Sequence, residues 1–144
     1  ITSGTISSSA GAVFLGSMYT ENINVSGNVF IDQVAPDDLG DNTNAVTISN
    51  MLKGLATVTP STDRTKNTDT AANIVGGLTN PEPNTSFDFI IVNAATGPDK
   101  GITLSAASGI TIVGEAVIRS EGAATFRVRV TNVGSPAVTM YRIG

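Results

Sequence analysis

From Ser86 onward the chain is a succession of short apolar runs cut by turn residues, and this constrains its fold more than any other feature. The runs are SFDFIIV (86–92), GITL (101–104), GITIVGEAVI (109–118), ATFRVRV (124–130) and AVTMYRI (137–143). They are rich in Val, Ile, Thr and Phe, which suit a pleated, half-buried surface, and Gly, Pro, Asn and Ser separate them. ATFRVRV alternates, placing Phe126, Val128 and Val130 on one face and Arg127 and Arg129 on the other. Phe87, Phe89 and Ile91 share a face opposite Ser86, Asp88 and Ile90. Val138, Met140 and Arg142 likewise oppose Thr139, Tyr141 and Ile143. GITL and GITI are near-copies across the turn-like Ser105–Ser108, which predicts a compact hairpin or successive short strands. The fold class expected is all-β, a jelly-roll-like or two-sheet β-sandwich.

The earlier part of the chain is less regular. Residues 1–11 (ITSGTISSSAG) read as a tail or linker, ordered only by a partner. AVFLG (12–16) is a short apolar run, and MYTENINV (18–25) and GNVFIDQV (27–34) alternate as strands. APDDLGDNTN (35–44) is turn chemistry, with Gly40 available for positive φ. AVTISNMLKGLATVTP (45–60) reads as strand, Val46 and Ile48 on one face, with a break near Gly54. STDRTKNTDT (61–70) is polar and expected to be exposed. The one expected helix covers about 69–77, capped by Asp69 or Thr70 and ended by Gly76–Gly77. Pro81 and Pro83 stiffen the loop that follows.

Composition narrows the function classes. Charged residues make up 14% of the chain, against roughly 25% in ordinary domains. The surface must therefore be largely Thr, Ser, Asn and Gly, which suits either a protein that packs against its own copies or simply a Thr-rich β protein. There is no Cys and no His. Disulfides, thiolate chemistry, the commonest general base and the commonest zinc ligands are all missing. Residues 1–52 hold Glu21, Asp32, Asp37, Asp38 and Asp41 but no Lys or Arg. Such a half offers nothing to a nucleic acid backbone. No stretch has the roughly 18 apolar residues of a membrane helix.

Asp37, Asp38, Asp41 and Asn42 place oxygen ligands around Gly40. They suggest a calcium loop, but the closing Glu is missing, so an ordinary Asx-rich turn is the expected reading. Asp63 and Arg64, with Lys66 and Asp69, are either an intersubunit ion-pair ring or a solvated loop. Asp88 and Glu115 are a conceivable hydrolytic carboxylate pair, but no G-x-S-x-G elbow and no His base accompany them. Phe14, Phe30, Phe87, Phe89 and Phe126 are most simply core. Tyr19 and Tyr141 suit a subunit contact or a sugar-binding groove. The triplets Asn24-Val-Ser26 and Asn84-Thr-Ser86 match a glycosylation pattern that arises by chance in so Asn- and Ser-rich a chain.

From TVTPSTDRT (57–65), through TAANIVGGL (70–78), TSFDFIIVNA (85–94), GITLSAASGITIVGEAVI (101–118) and ATFRVRVTNV (124–133), to AVTMYRI (137–143), the order of pieces resembles a β module of tailed phages and large DNA viruses. Members of that group are trimeric knobs on the virion: capsid decoration or cement proteins, head fibres and tail-fibre tips. The resemblance implies a knob over 57–144 and an anchoring region over 1–56. It implies a homotrimer on the outer capsid surface, bound to the major capsid protein, with no catalytic residues, cofactor, nucleic acid or membrane partner. A fibre tip binding a host-surface receptor or glycan is the alternative, and a non-viral cell-surface adhesin a third. The absence of heptads in 1–56 favours decoration over a fibre shaft.

Overall fold

The computed structural model describes residues 32–144. The tail expected over 1–11, the apolar run 12–16, the strand expected over 18–25, the first part of that expected over 27–34, and Tyr19, Phe14 and Phe30 lie outside the described residues; residues 32–34 are irregular.

Among the described residues, nine strands and two short helices follow in the order β1 (Asp37–Asp38), α1 (Ile48–Leu52), β2 (Leu55–Val58), β3 (Arg64–Asn67), α2 (Ala71–Gly77), β4 (Ser86–Asn93), β5 (Ile102–Ser105), β6 (Ile110–Val113), β7 (Val117–Ile118), β8 (Gly122–Asn132) and β9 (Ala137–Arg142). The strands form a six-stranded sheet, β1-β2-β4-β8-β9-β6, and a three-stranded sheet, β3-β5-β7. Both are mixed. β1, β2 and β4 run parallel, as do β6 with β9 and β3 with β5. The β4–β8, β8–β9 and β5–β7 pairs are antiparallel.

The alternation of the last strands carries the core. Phe89, Ile91, Ala124, Phe126, Val128, Val130, Val138 and Met140 are buried on the inner face of the large sheet. Ile102 and Leu104 of β5, Ile118 of β7, and Met51, Ala71, Ile74 and Val75 of the helices meet them in one cluster. Phe89 and Phe126 face each other across the β4–β8 ladder, ring centroids 5.6 Å apart. Full burial of side chains this size is worth about 1.5–3 kcal/mol each. Asn93, at the end of β4, ties the sheets together in the dry interior. Its amide donates to Lys100 O and Ile118 O and its Oδ1 accepts from Ala95 N.

Three expectations are corrected. Ahead of the expected break at Gly54, the segment 45–60 holds helix α1 where strand was expected, and the described residues have two helices rather than at most one. The Thr47 hydroxyl accepts from Asn50 N while the Asn50 side chain accepts from Thr47 N, a reciprocal cap that starts α1 and buries Met51. The predicted second helix is present as α2, capped by Thr70. GITL and GITI are successive strands but not a hairpin: β5 lies in the small sheet and β6 in the large one. The connection is pinned to the start of α2, because Ser108 O accepts from Ala71 N and Thr68 Oγ1 accepts from Ala107 N. Lastly, 61–70 is not uniformly exposed. Its central residues form β3, and Lys66, Thr68 and Asp69 are buried. Asp69 accepts from Ile48 N, Thr70 N and Asn73 Nδ2, joining the starts of both helices.

Residues 32–56 share this core through Leu39, Val46 and Met51, and β2 crosses position 57.

Candidate interaction surface

The helices and the small sheet pack against the inner face of the large sheet, and the register of the ladders fixes what its outer face presents. One row runs Leu55, Ile90, Thr125 and on to Ile143, whose N–H donates to Thr125 O. The next runs Asp88, Arg127, Tyr141, Val113. A third runs Ser86, Arg129, Thr139, Thr111. Each row crosses four chain segments, about 14 Å, and lies about 7 Å from the next. Ile90 is 37%, Val113 46% and Ile143 51% exposed.

Charge on this face is largely cancelled within it. Arg127 donates from Nε and from Nη2 to the two carboxylate oxygens of Asp88, at 2.8 and 2.9 Å. The guanidinium holds the Asp88 carboxyl below the usual carboxylate range. Arg129 donates to the Asn84 side chain. The face therefore offers aliphatic side chains, threonines, a tyrosine, an internally paired ion pair and, in its third row, the Arg129 guanidinium on a neutral amide. Apolar contact over the first two rows leaves Asp88 and Arg127 their own partners, which spares the costly burial of an unpaired charge there.

The candidate residues from the sequence fall in separate places. Tyr141 is on this face, half-buried between Arg127 and Val113. Asp63 and Arg64 are on the small sheet, each engaged within the chain. Asp63 accepts from Gly101 N at 2.6 Å, and Arg64 Nε donates to Asp41 at 2.7 Å. Asp37, Asp38 and Asp41 do not converge. Asp37 takes Lys53 and Asn50, Asp38 accepts from Gly40 N, and Asp41 takes Arg64. Hydrogen bonds from Arg64, and then Ser61, pull the Asp41 pKa down to about 2. Hydrogen bonds from Lys53, and then Asn50, lower that of Asp37. Among the described residues no three His, Cys, Asp or Glu side chains are grouped to hold a metal ion. Asp88 and Glu115 are not a facing pair, since Glu115 instead meets Arg119. No described helix is long and apolar enough to cross a membrane.

Ile90 and Ile143 were legible as residues on the polar side of their strands, but not as flanking the same Thr125. That placement depends on the β4–β8 register and on the chain continuing past β9 beside Thr125, which no local pattern encodes.

No protein-family model, characterised protein or solved structure matches the chain.

Proposed function

We propose that this chain is a non-catalytic structural protein of a virion, a homotrimeric decoration or cement protein that braces the outer capsid surface by bridging subunits of the major capsid protein. The observation that carries the reading is the outer face of the large sheet, where Leu55, Ile90, Tyr141, Val113 and Ile143 lie beside a self-neutralised ion pair. Such a face suits contact with another copy, because its aliphatic side chains can be buried while the ion pair keeps its own partner. The low charge of the whole chain supports the same reading. So does the order of strands in the sequence, which resembles virion knobs. The knob proposed is a two-sheet β structure. Its parallel ladders set it apart from a jelly roll with antiparallel sheets alone.

The mechanism is mechanical. Three linked copies multiply the effective affinity of weak contacts with the shell. Contacts made only by the assembled shell stabilise it by mass action.

Sedimentation at micromolar concentration tests the trimer. The expected result is a trimer that Ile90→Lys with Ile143→Asp converts to a folded monomer; a wild-type monomer counts against the reading. Particles with and without the protein, heated in parallel, test the cement role. Depleted shells are expected to open at lower temperature. Unchanged opening with lost host adsorption would favour a receptor-binding fibre tip instead.

A further inference from the structure

The acidic segment 37–44 lies along the outer edge of β2. Asp37 and Asp38 pair with Ala56 and Thr57, and Leu39 N donates to Thr57 O at 2.8 Å. Without it the large sheet would end on Leu55–Val58, a four-residue, mostly apolar strand with free backbone groups. With it the sheet, among the described residues, ends on two aspartates. Short, charged edges of this kind discourage a further strand from adding.

The segment is held by cations of the chain. Lys53 pairs with Asp37 at its start and Arg64 with Asp41 in its middle. Between them lies Lys66, reaching from β3 and only 1% exposed. Its ammonium donates to Leu39 O at 2.8 Å, to Asn42 O at 2.9 Å and to Asn42 Oδ1 at 2.9 Å. Asn42 Oδ1 also accepts from Asn44 N, so the same oxygen shapes the turn. Three donors meet three oxygens, which is the full capacity of an ammonium group. Burial pulls the Lys66 pKa down, and the nearby Asp38 and Asp41 carboxylates oppose that shift while Arg64 adds to it.

We infer that Lys66 is the internal cation of this loop, a latch that closes 37–44 over the edge of β2. Main-chain and side-chain oxygens converge on one positive charge, as in a cation-binding loop, but the charge is covalently part of β3. The acidic character of the segment is then part of its attachment to the domain. Closure guards the sheet edge, and it depends on Lys66 more than on the rim pairs, which water screens.

Amide hydrogen exchange of the full chain reads the latch directly. In Lys66→Met the side-chain volume stays while the ammonium is lost. The Leu39 amide is expected to exchange at least roughly tenfold faster, the change equivalent to one charge-assisted hydrogen bond. The amides of Val128 and Met140, buried in the middle of the large sheet, should keep their rates. Overall stability does not decide the matter, because removing a buried charge also removes its desolvation cost. Unchanged Leu39 protection overturns the inference. So does acceleration of Leu39 only in step with Val128 and Met140. Asn42→Ala removes one acceptor and leaves the lysine in place, and it carries the test if Lys66→Met does not fold. Faster Leu39 exchange than wild type is then expected, and an unaltered rate again overturns the latch.

Discussion

Arg127 and Asp88 face each other across β8 and β4, joined by two nearly parallel hydrogen bonds of 2.8 and 2.9 Å. The pair sits in the middle of the exposed face of the large sheet, with Tyr141 on its other side. Its two-pronged geometry fixes orientation as well as charge. Both partners are about half exposed, so the pair neutralises the face more than it holds the fold. Asp88→Ala and Arg127→Ala should each lower thermal stability only slightly. The coupling between them in a double-mutant cycle should fade near 1 M salt, where screening reaches about 3 Å. The same single substitutions should weaken self-association more than they weaken folding, measured by sedimentation.

Acid should unfold the protein partly through its paired carboxylates. Asp41 has a folded pKa of about 2 against a reference of 3.8, and Asp37 and Asp88 are shifted the same way. Between those two values the unfolded chain binds more protons than the folded one. Stability from these groups is therefore fully present above about pH 4 and is lost as pH falls toward 2. Denaturant titrations at successive pH values should show this slope, and Asp41→Asn should flatten it. A wild-type slope in the Asp41→Asn protein would show that the titration resides elsewhere.

Asn93 is fully buried, and its side chain serves three main-chain groups at the junction of the sheets. Asn93→Ala leaves Lys100 O, Ile118 O and Ala95 N without that partner. The expected cost is about 1–3 kcal/mol, the range for stranding buried polar groups. Chemical denaturation checks it.

Two glycines should respond oppositely to the same change. Gly109 has φ +76°, and a Cβ there would lie 2.7 Å from Ala71 Cβ and 2.8 Å from Pro136 O. Gly109→Ala should destabilise by at least about 2 kcal/mol, from both backbone strain and overlap. Gly76 lies within α2 with nothing within 4 Å of the added carbon. Gly76→Ala should stabilise by about 0.5–1 kcal/mol. Thermal melts of the two variants should move in opposite directions.

Local sequence determined the strands after Ser86, their buried faces and the capped turn at Ala71–Gly77. Alternation and capping act between near neighbours, so Phe126, Val128 and Val130 declare their face wherever the strand is placed. The partners of those strands were not legible. β5 and β6 carry nearly the same four residues yet enter different sheets, because the connection between them is tied to Ala71 and Thr68, more than 30 positions earlier. Val46–Leu52 reads as strand by composition, but only Val46 pairs as one, with Thr68, while a Thr47–Asn50 cap and the burial of Met51 turn Ile48–Leu52 into helix. Lys66 looked like part of a solvated, mixed-charge loop. Only the parallel pairing of β3 with β5 carries it inside, where the oxygens of Leu39 and Asn42 accept its charge. The sequence by itself determined which side of each strand is apolar, since that depends on a two-residue period. The tertiary structure decided which charges meet, because ion pairs such as Arg127 with Asp88 join residues far apart in the chain and follow from strand pairing.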